Sequence, residues 1–93
     1  MSFDVRGAWA LDDRVALRQE EFGALAYHFG TRRLSFLKHP QLVQVVEGLA
    51  THPSAADALR AASSPAEREA AMVHALRTLA DTGMIVPRDE AVV

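Results

Sequence analysis

The side chains of this chain best suited to metal binding or proton transfer are its four histidines, His28, His39, His52 and His74. Their spacing works against both uses. Neither H-x-H nor H-x-x-x-H occurs, so no two of them share a strand or helix face as the ligands of one ion would. His39 and His52 each precede a proline, where helices begin or end. His28 falls in a strand-like segment and is expected to face solvent or a partner. Nucleophilic catalysis fares no better, because it needs a nucleophile, an adjacent base and a third group to orient that base. Cysteine is absent. Ser2, Ser35, Ser54, Ser63 and Ser64 fall at a terminus, on a strand or at helix starts, and the two at clear starts, Ser54 and Ser64, suit capping. The five glycines are scattered and form no phosphate-cradling loop. No catalytic residue, metal site or cofactor site is therefore expected.

The elements that carry these residues divide at the middle of the chain. In the first half, Val15 and Leu17 lie two apart on one strand face, with Arg14, Ala16 and Arg18 on the other. Gln19, Glu20 and Glu21 form a polar break. Phe22–Phe29 follows, and then Arg32–Leu37 beyond Gly30 and Thr31. A two-residue loop at Gly30-Thr31 pairs Phe29 with Arg32, Tyr27 with Leu34 and Leu25 with Phe36. That register puts Leu25, Tyr27, Leu34 and Phe36 on one face, and His28, Arg33 and Ser35 on the other. The first half is expected to be a three-stranded antiparallel meander.

The period then changes. Leu42, Val45, Val46 and Leu49 form one helical stripe that begins at Pro40, which suits a first turn, and ends at His52-Pro53. Ser54, with Asp57 three residues on, opens a short second helix. Ser64, Pro65 and Glu67 match a capping box for a third. Its stripe is Met72, Val73, Leu76, Leu79 and Ala80, and Gly83 supplies the left-handed residue that closes it, with Met84 folding back. Ile85 and Val86 run on briefly to Pro87. The predicted order is β-β-β-α-α-α: an α+β domain, winged helix-turn-helix-like, with its core over about residues 9–87 and loose termini. Trp9 is read as a core anchor.

Composition narrows the function. The 93 residues fit one domain, and 49% are hydrophobic against 24% charged, the balance of an ordinary globule. A net charge of -2 argues against a general nucleic-acid binder. No apolar run approaches the ~20 residues of a membrane helix, and the N-terminus does not read as a signal peptide. A cytoplasmic protein is expected, bound neither to nucleic acid nor to membrane.

The feature with functional content is the third strand, Arg32–Lys38. It is the edge of a meander, and edge strands expose backbone groups that invite a further strand. Arg32, Arg33 and Lys38 either guard that edge or attract an acidic peptide. Ala70, Ala71, Ala75 and Thr78 flank the third helix's stripe; they either pack closely on the sheet or leave a groove. Two other readings stay open: a winged-helix DNA-binding regulator, and a subunit that only docks on a larger enzyme. The first lacks a basic recognition helix, because Arg68 and Arg77 are set against Glu67, Glu69 and Asp81. A small core with an open edge also permits a strand-swapped homodimer.

EFGALAYHFGTRRLSFLKHPQLVQVV followed by LRTLADTGMI resembles the PqqD-like peptide-recognition domains, also called RiPP recognition elements, and within them the mycofactocin peptide chaperones of actinobacteria. The resemblance spans roughly Trp9–Pro87. It implies a non-catalytic protein that binds a ribosomally made precursor peptide as an added strand and passes it to a radical S-adenosylmethionine (SAM) maturase. That maturase would hold the cofactor. Carried over by position, the peptide would meet the backbone of Arg32, Arg33, Leu34, Ser35 and Phe36, with Leu37 and Lys38 completing the strand. Ala71, His74, Ala75 and Thr78 would line the groove; these four rest on helix geometry rather than on a motif.

Overall fold

Alternating side chains over residues 15–37 produce the sheet on which the rest of the chain is built. The computed structural model describes residues 3–62 and 66–88, with Ala66 by its backbone alone. Strands β2 (Val15–Glu20), β3 (Gly23–His28) and β4 (Leu34–Leu37) form an antiparallel sheet in that order. Tyr27 pairs with Leu34 and Leu25 with Phe36, the expected register. Ala24, Ala26, His28 and Leu37 turn to the core and are buried. Val15 and Leu17 pack on the same side.

The loop between β3 and β4 differs from the expectation. Its backbone closes with the His28 N–H donating to Arg33 O at 3.0 Å and the Arg32 N–H donating to His28 O at 2.7 Å. Phe29 therefore does not pair with Arg32; both belong to a four-residue turn, and Arg32 takes φ 62 to close it. The register survives because the longer turn is centred on the same Gly30–Thr31 peptide. Phe29 instead donates its N–H to Arg14 O on the other side, at 2.8 Å.

Three helices follow, as the change of period predicts. Helix α1 (Pro40–Gly48) has Pro40 in its first turn and continues as one 3₁₀ turn over Leu49–Thr51. Ser54 caps α2 (Ala55–Ala61) by accepting from the Asp57 N–H at 3.2 Å. Helix α3 spans Ala66–Asp81; its expected cap, Ser64 with Pro65, lies outside the described residues, as does the tail beyond Arg88. Gly83, at φ 77, ends α3 in a Schellman arrangement. The Gly83 N–H donates to Ala80 O at 3.1 Å and the Met84 N–H to Leu79 O at 2.8 Å.

The pattern missed a second, two-stranded sheet. Strand β1 (Trp9–Leu11) pairs antiparallel with β5 (Ile85–Pro87), joining Leu11 to Ile85 and Trp9 to Pro87. Trp9 is buried as expected, its Nε1 donating to Asp4 O at 2.8 Å. The core also reaches back before Trp9, because Phe3 is buried with its ring 5.0 Å from that indole. One apolar core thus joins the inner sheet face, α1, α2, the Met72-Leu76-Leu79 stripe of α3 and Ile85.

Candidate functional site

β4, like β2, is an edge strand of the three-stranded sheet, and it is the edge that lies beside α3. The ladder alternates between pairs that exchange backbone hydrogen bonds and pairs that do not. The His28–Arg33 bond fixes the phase. Ser35 and Leu37 therefore direct their N–H and C=O groups to β3, opposite Ala26 and Ala24. Leu34 and Phe36 direct theirs outward. Of the backbone groups expected to receive a peptide, those of Leu34 and Phe36 face the edge, and those of Arg33 and Ser35 face the sheet. Arg32 lies in the turn.

Between this edge and α3 runs an apolar cleft in two adjoining sections. One, of about 290 Å³, is lined by Ser35, Leu37, Leu42, Ala75, Thr78 and Leu79 together with Leu34 and Phe36. The other, of about 390 Å³, continues past Phe36, Leu42, Ala71, Met72 and Ala75 to Lys38, His39, Gln41 and Arg68. The cleft is open because α3 presents small side chains there. The Thr78 hydroxyl is taken up by the helix itself, donating to His74 O at 3.2 Å. Arg68 bridges to the start of α1, its Nη1 donating to Gln41 Oε1 at 3.2 Å.

Ala71, Ala75 and Thr78 are thus brought together with Leu34–Lys38. His74 is not: it lies with Glu69, Ala70, Val73 and Arg77 on a separate, shallower face of α3. Sequence reasoning missed Leu42, Met72 and Leu79, which it had counted only as core. All three lie where the stripes of α1 and α3 meet the cleft at their margins, a position that periodicity alone does not distinguish from the centre.

His28 reverses an expectation. It is 1% exposed, not turned to solvent or a partner, because strand alternation places it on the same face as Ala24 and Ala26. Its Nδ1 accepts from the backbone N–H groups of Gly30 at 2.9 Å and Thr31 at 3.0 Å. A ring nitrogen that accepts twice carries no proton, so the hydrogen of the neutral ring sits on Nε2. That atom lies 3.9 Å from Asp12 Oδ2. Arg14 in turn grips Asp12: its backbone N–H donates to Oδ1 at 2.8 Å and its Nε at 3.0 Å. The Arg14 side-chain hydrogen bond is the main reason the Asp12 carboxyl titrates at about 2, below its ordinary value. This chain of contacts ties the start of β2 to the β3–β4 turn, and so holds the base of the open edge.

Among the described residues no three metal-ligating side chains gather, and no helix is long and apolar enough to cross a membrane. What the geometry offers is an unpaired strand edge beside an apolar cleft, the requirements for receiving an extended peptide.

A family model described as the peptide chaperone MftB family matches residues 8–86. The peptide chaperone MftB of Mycolicibacterium smegmatis is 49% identical over 94% of this chain and 85% of its own length. Its namesake in Mycobacterium ulcerans is 48% identical over 95% of this chain and 81% of its own, and that of Mycobacterium tuberculosis 46% over 92% and 79%. No solved structure matches this chain.

Proposed function

This chain belongs to the MftB peptide chaperone family, and on that premise we propose that it captures a ribosomally made precursor peptide at the β4 edge and delivers it to a radical SAM maturase of mycofactocin-type biosynthesis. The observation that carries this reading is the conjunction of the outward Leu34 and Phe36 backbone with the cleft beneath them. Strand addition supplies hydrogen bonds that any sequence can make, and the cleft supplies selectivity. The radical chemistry and its cofactor belong to the maturase. The chaperone's contribution is effective concentration: a peptide tethered at the enzyme surface reacts in a nearly intramolecular event.

Isothermal titration of the folded chain with the precursor peptide of the same biosynthetic system tests this. Saturable binding, together with faster peptide modification by the maturase when the chain is added at low peptide concentration, is expected. No saturable heat at near-millimolar peptide would contradict capture and leave docking on the enzyme as the role.

A further inference from the structure

The solvent face of the three-stranded sheet is apolar in an uneven way. β2 contributes Ala16 and Arg18 to it, β3 contributes Leu25 and Tyr27, and β4 contributes Leu34 and Phe36. Leu25 and Tyr27 have a neighbouring strand on each side and are half-buried. Leu34 and Phe36 have one on a single side and are 54% and 59% exposed. Phe22 lies against Phe36 with ring centroids 5.9 Å apart, and Phe29 stands edge-on to Tyr27 at 5.2 Å. The apolar surface therefore grows toward the β4 edge and gives way to Arg18 at the β2 edge. A contiguous patch of this kind marks an interaction surface, whereas scattered apolar residues do not.

The residues whose backbone faces the open edge are the same two that carry this exposed surface. A strand hydrogen-bonded to Leu34 and Phe36 places the residues opposite them on the outer face, with Cβ atoms ~4.5–5.5 Å from theirs. The residue between those two points to the other side, over the cleft beside Leu37, Leu42 and Ala75. No strand can use this edge without covering both surfaces.

We propose, resting on the capture reading above, that the chain reads both faces of the bound strand, and that its ligand is an extended peptide segment with an uninterrupted run of at least three apolar residues. Two of them pack outside on Leu34 and Phe36, and the one between enters the cleft. A site that read only its inner cleft would instead accept polar residues at the outer positions.

The test is calorimetric titration of the precursor peptide into three proteins: the native chain, the outer-face variant Leu34→Thr with Phe36→Thr, and the cleft variant Ala75→Trp. Both outer positions are more than half exposed and threonine favours strands, so circular dichroism should show an intact fold. Each variant is expected to bind at least ten-fold more weakly, and serine substitution along the peptide should find three consecutive sensitive positions. Native-like binding by the outer-face variant, with loss in Ala75→Trp, would overturn two-faced reading while leaving capture standing. Native-like binding by both would contradict capture at this edge altogether. A dimer seen by sedimentation that the outer-face variant dissociates, with peptide affinity unchanged, would assign the patch to a second copy and overturn the proposal.

Discussion

Leu34 stands directly opposite Tyr27 in a pair that exchanges no backbone hydrogen bonds, so the Leu34 N–H points away from β3 while that of its neighbour Ser35 points into the ladder. The two adjacent residues should respond differently to the same substitution. Leu34→Pro removes a donor from the open edge alone, where proline is tolerated. It is expected to keep its circular dichroism spectrum and lose about ten-fold in peptide affinity, roughly the value of one hydrogen bond plus the steric block of the ring. Ser35→Pro removes a ladder bond and should lower the melting temperature whether or not peptide is present. Equal behaviour of the two would mean that the edge does not take a strand.

The His28 imidazole organises the β3–β4 turn by accepting from Gly30 and Thr31. Asparagine can put its side-chain oxygen near the position of Nδ1, and leucine cannot. His28→Leu leaves the part-buried N–H groups of Gly30 and Thr31 without their acceptor, a loss of about 1–3 kcal/mol in all. His28→Asn should recover part of that loss. Urea denaturation would measure it, and nitrogen-15 shifts of the imidazole should show the hydrogen on Nε2.

Acid should release the other end of this contact chain. Asp12 titrates at about 2 in the folded protein against an ordinary 3.8. A carboxyl with a depressed folded value stabilises the fold at pH above its unfolded value, and that contribution is lost as pH falls toward the folded one. Asp12→Asn is therefore expected to lower the urea midpoint at pH 7. Between pH 4 and pH 2 the gap between variant and native chain should close. A gap that stayed constant across this window would show that the carboxylate charge does not act through Arg14.

Gly23 begins β3 at φ 147, where a β-carbon would run into the Leu37 carbonyl oxygen at the end of β4. Gly23→Ala forces an unfavourable backbone, at a cost of about 1–3 kcal/mol, and pushes β4 off its partner. Both stability and peptide affinity should fall, with the amide shifts of Leu37 and Lys38 moving most.

These positions show how far the sequence alone could be read. The register of Tyr27 with Leu34 was legible because two apolar alternations face each other across a short polar break, and a one-residue slip would invert them. The loop between them was not, since a two-residue and a four-residue turn with a common centre give the same pairing. Which face of the hairpin is buried was hidden by size: small Ala24 and Ala26 line the core, while Tyr27 and Phe36 look outward. His28 followed the alanines inside for that reason. The β1–β5 sheet joins segments of three residues each from opposite ends of the chain, too short for any alternation to register. On α3, Ala71, Ala75 and Thr78 stood out as small residues beside an apolar stripe. His74 sits one position from Ala75, yet the 100° step of a helix carries it to another face.

Backbone amide NMR during titration with the precursor peptide tests the central claim most directly. Saturable shifts concentrated at Leu34, Phe36 and Lys38, along Ala71–Thr78 of α3 and on the outer-face residues Phe22 and Leu25 are the expected result. The outward-facing amides of Leu34 and Phe36 should become protected from hydrogen exchange. Shifts confined to the far face of α3 around His74 and Arg77, with the Leu34 and Phe36 amides still exchanging freely at saturation, would contradict strand addition at β4.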